Sequence, residues 1–177
     1  MRYLFIDNFR GFTKTLLPIR DVNFFVGENS TGKTSILGLI KLLDTPQFYF
    51  DQRFNTNELR FGNFKDIVSI GASNKSYFRV GLVEMAPDGK KTNEYPSEAF
   101  LCTFVEEEGM PILSQFTTIA EEEQFHIVFS AKTLKYKDEG HYQIPDDSEA
   151  IRNMFLSWDH SHEVRGTGEV DPITWTG

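Results

Sequence analysis

Cysteine is nearly missing from this chain. Cys102 is the only one among 177 residues, which excludes an intrachain disulfide framework and any zinc site built on several thiolates. A reducing, cytoplasmic location agrees with that scarcity. No apolar run approaches the roughly 18 residues that a membrane-crossing helix requires, so no membrane partner is expected. The amino terminus lacks the basic, apolar and small-residue regions of a secretory signal, because Asp7 and Asn8 interrupt it early. Positive charge is also short: 18 Lys and Arg stand against 26 Asp and Glu, for a net charge of −8. Between Lys91 and Lys132 there is no Lys or Arg at all, while Glu94, Glu98, Glu106, Glu107, Glu108, Glu121, Glu122 and Glu123 fall there. That balance argues against a broad nucleic-acid footprint and leaves room only for a local basic patch. Solvated strand ends and turns account for the acidic stretch.

What is present is apolar and aromatic. Hydrophobic residues make up 40% of the chain and 17 residues are Phe, enough for one domain with a core or one lobe of a larger fold. One stretch organises the rest: Gly27-Glu28-Asn29-Ser30-Thr31-Gly32-Lys33-Thr34 matches the phosphate-binding loop G-x-x-x-x-G-K-[ST] at every required position. Val22 to Val26 ahead of it reads as a β-strand. Ile36 to Leu43 behind it carries apolar residues at helical spacing. In such a loop Gly27 and Gly32 let the backbone approach an anion closely, and successive N–H groups at the helix start converge on phosphates. Lys33 then reaches the β- and γ-phosphates, and the Thr34 hydroxyl takes a place on Mg²⁺. These two are the candidate catalytic residues, with Thr34 the candidate metal ligand. ATP and Mg²⁺ are the expected cofactors.

The flanking chain fills in an α/β outline. Tyr3 to Ile6 and Thr15 to Ile19 read as strands on either side of a turn, so two extended segments precede the strand at 22–26. A helix from about Lys33 to Leu43 should stop before Pro46. Gln47-Phe48-Tyr49-Phe50 is a core segment or an adenine platform. Asp51 to Phe64 reads as a loop with one short helix, and Gln47 and Gln52 are the nearest candidates for a glutamine that senses Mg²⁺. From Ser76 the pattern turns to strands at 76–85, 99–105, 112–119 and 124–129, with another at 141–145; the spacing predicts an antiparallel section over 76–144. An acidic start at Asp146 to Glu149 introduces a helix over Ala150 to Trp158. His160 and His162 are two residues apart, and ordinary loop positions suit them better than a metal site. Residues 166–177 read as a flexible tail without a useful strand.

Asn8-Phe9-Arg10-Gly11-Phe12, followed by Val22 to Leu37, resembles the N-terminal lobe of ABC-type ATPases that act on chromosomes and in DNA repair. Within that class it is most similar to the AAA-family ATPases of the overcoming-lysogenization-defect nucleases and related anti-phage systems. The likeness is strong over residues 1–43 and looser over Leu59 to Val68. It implies a P-loop NTPase fold, an ABC-ATPase-like N-terminal lobe with a mixed and antiparallel β-sheet over 1–177. It also implies that Arg10 approaches the nucleotide and that Asn29 lines the loop. Ser30 and Thr31 contribute backbone N–H groups, and Ser35 joins Gly27, Gly32, Lys33 and Thr34 around the phosphates. Without the resemblance Arg10 is an exposed hairpin-tip residue.

Two elements of a complete hydrolase are missing from the sequence: an apolar strand ending in a Mg²⁺-orienting acid, and a Leu-Ser-Gly-Gly-like signature. Phe155 to Asp159 is the nearest phrase to the first and is too broken. In the resembled family both lie in a C-terminal lobe, so the expected partners are that lobe or a second copy in a homodimer, and a nuclease or DNA through the full assembly. A small P-loop kinase and a nucleotide-binding interaction module that does not hydrolyse remain as other readings.

Overall fold

The computed structural model describes residues 1–28, 32–45, 47–85, 98–120, 123–129, 134–141, 143–145, 147–158 and 168–170. Strands β1 (Arg2–Asp7) and β2 (Thr15–Ile19) form a hairpin, and helices α1 (Lys33–Leu43), α2 (Phe48–Asp51) and α3 (Phe64–Ile67) follow. Strands β3 (Tyr77–Glu84), β4 (Glu98–Glu107), β5 (Met110–Ala120), β6 (Glu123–Phe129) and β7 (Leu134–His141) come next, then helix α4 (Ser148–Ser157) and β8 (Gly168–Val170). Among the described residues the strands make one sheet in the order β2-β1-β3-β4-β5-β6-β7-β8.

Period-two alternation sorts the side chains of that sheet into two cores. Leu4 and Ile6 on β1, Phe78 and Val80 on β3, and Cys102 and Phe104 on β4 pack against Ile36, Leu39, Leu42 and Leu43 of α1. Phe48, Phe54, Phe61 and Phe64 close the same core, with the Phe54 ring edge-on to Phe48, Phe61, Phe78 and Phe104. Gln47 to Phe50 thereby resolves in favour of a core role at Phe48, which is buried. The opposite face sets Phe5, Val83, Ala99, Leu101 and Ile119 against Ile151, Met154 and Phe155 of α4. Gly81 makes that docking close: a Cβ there would lie 2.9 Å from Phe155 Cε1 and 2.7 Å from the Phe100 carbonyl. Phe155 accordingly stacks on Phe5 at 4.8 Å between centroids.

Four expectations need correction. The mixed sheet is not found, since every strand pairing among the described residues is antiparallel. Residues 22–26 carry strand-like residues but join no strand: β2 is already the sheet edge, with Pro18 in it, and Val22, Phe24 and Val26 are 67%, 87% and 92% exposed. The last long strand is 134–141 and not 141–145. Its lysines and acids hide it from a hydrophobic pattern, and backbone pairing with β6 supplies what side chains do not. Gly168–Val170 within the expected tail pairs with β7. By contrast α1 and β2 have the expected bounds, and α4 starts at the acidic cluster, where the Asp147 carboxylate accepts the Ala150 N–H at 2.8 Å.

Candidate functional site

The start of α1 carries no side-chain cap. Gly32 is the N-cap, in the left-handed region at φ 88°, and a glycine brings no side chain to cap the first turn. The first turn carries no acid either, and the Ile36 N–H closes the first helical bond on the Gly32 carbonyl at 3.0 Å. The positive end of the helix dipole lies at this uncapped turn. Lys33 folds over this end, its ammonium donating to the Gly27 carbonyl at 2.8 Å and to the Glu28 carbonyl. Gly27 and Glu28 are thus brought beside Gly32 and Lys33 at the helix start. Thr34 is exposed and Ser35 half-buried on the same first turn. Asn29, Ser30 and Thr31 lie outside the described residues, as do Asp159, His160 and His162. The helix side of the expected strand-to-helix junction is present; the strand side is not.

The hairpin between β1 and β2 folds against this loop. Phe9 and Phe12 exchange two backbone hydrogen bonds, at 3.0 and 2.8 Å, around the tip Arg10–Gly11. Both tip residues have positive φ, 43° and 89°, the signs of a type I′ turn, in which Asn-Gly is the favoured pair. Phe12 lies so close to the loop that a Cβ on Gly32 would sit 2.7 Å from its ring. Glycine is required there twice over, for its φ and for this contact. Arg10 itself is held by Phe61. Its Nη2 donates to the Phe61 carbonyl at 2.5 Å, its guanidinium lies 5.3 Å from the centre of the Phe61 ring, and its Nε is buried without a partner. Arg10 lines a cleft of about 620 Å³ with Arg60, Phe61, Asp66, Ser69 and Ile70.

A buried ion pair anchors the turn from beneath. Arg79 Nη2 and Nε donate to Asp7 Oδ2 at 2.7 and 3.2 Å, with both side chains almost fully buried. Asp7 Oδ1 also accepts the Lys14 N–H at 3.0 Å, so one carboxylate ties together the two ends of the loop that carries Arg10 and Phe12. Sequence reasoning did not single out Asp7, Phe12, Phe61 or Arg79. An arginine in the middle of the apolar run Tyr77 to Val83 was the available signal, since a charge at a buried strand position requires a partner. Gln47 and Gln52 flank α2. Among the described residues no group of three or more His, Cys, Asp or Glu could hold a metal, and no helix is long and apolar enough to cross a membrane.

The α/β fold, the glycine N-cap of α1 and the lysine folded back over it are consistent with a P-loop ATPase domain, and the family match points the same way. The chain belongs to the AAA ATPase domain family, whose model matches residues 1–153. No curated protein and no solved structure matches it.

Proposed function

We propose that the chain binds ATP with Mg²⁺ as the nucleotide-binding part of a larger or oligomeric ATPase that controls action on nucleic acid, in the manner of the anti-phage ATPases it resembles. The observation that carries this reading is the uncapped start of α1 with Lys33 held over it. Phosphate oxygens would replace the Gly27 and Glu28 carbonyls as acceptors for Lys33 and take the N–H groups of residues 33–35. Gly27, Asn29, Ser30, Thr31, Gly32 and Ser35 complete the cradle. Thr34, exposed on the first turn, would hold Mg²⁺, which supplies neutralising charge between the phosphates. The cleft beside Arg10 has the volume for a nucleoside. Replacing Lys33 by Ala removes a charge-assisted contact of about 1.5–3 kcal/mol, or roughly one to two decades in affinity. Calorimetric titration with Mg-ATP measures it; unchanged affinity in a folded variant sinks the phosphate role.

A second reading, a nucleotide-gated interaction module, draws on the segment just ahead of the loop. Val22, Phe24 and Val26 alternate along it and are largely exposed, a pattern suited to docking on a C-terminal lobe or on a second copy. Association that depends on Mg-ATP, with no turnover by the isolated chain or by the mixture, favours this module over a self-sufficient hydrolase.

A further inference from the structure

The phrase from Leu59 to Val68 touches no residue of the phosphate loop motif in the bonds described above, yet most contacts that hold the Arg10 turn come from it and its neighbour Ser69. The Arg10 N–H donates to the Ile67 carbonyl at 2.8 Å, the Ser69 N–H donates to the Asn8 carbonyl at 2.7 Å, and Phe9 bridges to Val68. The Arg10 side chain is held by the Phe61 carbonyl and the Phe61 ring. Phe61 is itself fixed from both directions. Its ring packs edge-on against Phe9 and Phe54 in the core. Both peptides flanking Gly62, the first of which carries the Phe61 carbonyl, are clamped by Asn55, whose Oδ1 accepts the Gly62 N–H at 2.8 Å and whose Nδ2 donates to the Gly62 carbonyl at 2.9 Å.

Such a platform restricts a side chain that otherwise samples many rotamers, and it does so through one nitrogen and one face. Arg10 Nη1 makes no hydrogen bond among the described residues, so the guanidinium keeps a donor for an anion while its direction is set. We infer that Asn55 and Phe61 are positioning residues for nucleotide binding, acting through Arg10. This inference rests on the reading of Arg10 as a nucleotide contact.

The test is titration of the full chain with a fluorescent ATP analogue in Mg²⁺, for Asn55→Ala in the Arg10 background and in an Arg10→Asn background. Touching residues that act in series are non-additive, so the expected result is a loss of about fivefold in the first background and no further loss in the second. An equal loss in both backgrounds, or no loss in the first, overturns the proposal, because a purely structural role lowers stability without depending on Arg10. Phe61→Leu runs the same comparison where Asn55→Ala does not fold, since it removes the aromatic face and keeps the carbonyl and most of the apolar volume. Wild-type chain that fails to bind the analogue rejects the nucleotide function, and Arg10→Asn that binds like wild type rejects the role of Arg10; either outcome removes this inference with it.

Discussion

Arg10 sits at φ 43°, a conformation that costs a non-glycine residue about 1–2 kcal/mol. Asn tolerates that region better, and Asn-Gly is the pair a type I′ turn favours. Arginine at this position therefore trades local stability for a guanidinium at the tip. Arg10→Asn relieves part of the backbone cost and forfeits the contacts with Phe61, so unfolding free energy should move by no more than about 1 kcal/mol. ATP affinity should fall about tenfold in the same protein, as expected for one lost charge-assisted bond. Paired thermal melts and titrations check the two halves independently. Cys102 is the other residue with a defined expectation. Burial pushes its thiol from 9.0 up to about 12, because the thiolate would be desolvated. The unfolded chain releases that proton first as pH rises. The stabilisation is therefore complete below about pH 9 and is lost between there and 12, at about 1.4 kcal/mol per pH unit. Urea unfolding at pH 8 to 11 should show a shallower alkaline decline for Cys102→Ala than for wild type.

At the scale of elements, the β1–β2 hairpin and α3 form one assembly around the Arg10–Gly11 turn, and α4 steadies it from the far face. Arg152 of α4 donates to the Lys14 carbonyl at 2.8 Å, while the Asp7–Arg79 pair spans β1 and β3 beneath the turn. Arg79 also lies 5.3 Å from the Tyr77 ring centre and 5.9 Å from that of Phe5, so its cation is enclosed by aromatic carbon. Removing one member of such a pair leaves the other charge buried and alone. Arg79→Met should destabilise the domain by about 3–5 kcal/mol, read as a lower urea midpoint. Asp7→Asn combined with Arg79→Met should recover part of that loss, since the stranded carboxylate is then gone.

For the whole molecule, residues 27–35 take the phosphates on the proposed reading, while among the described residues no acidic cluster is placed to hold Mg²⁺. Hydrolysis needs both. The purified chain should bind Mg-ATP and turn it over at a negligible rate, with turnover appearing on addition of a partner that supplies the acid and the signature segment. A phosphate-release assay checks this. Robust Mg²⁺-dependent turnover by the isolated monomer, abolished by Lys33→Ala, would reject the claim. The exposed Val22, Phe24 and Val26 make a companion readout, because their accessibility should drop when the completing partner is added.

Local pattern alone determined α1, β2 and the uncapped loop. Helix period, the glycines and Pro46 act within a few residues, and the phosphate motif needs nothing more distant than its own turn to be recognised. Apolar, β-rich runs also marked β1 and β3 to β6, and β1, β3 and β4 bury residues on both faces. Only tertiary structure decided which strands have neighbours. Residues 22–26 have strong β character and no pairing, whereas the charged run 134–141 pairs through its backbone with β6. Strand pairing depends on backbone partners distant in sequence, and side-chain propensity does not name them. The direction of Arg10 was settled in the same way: the motif placed it at a hairpin tip, and the Phe61 carbonyl, 51 residues away, turned it.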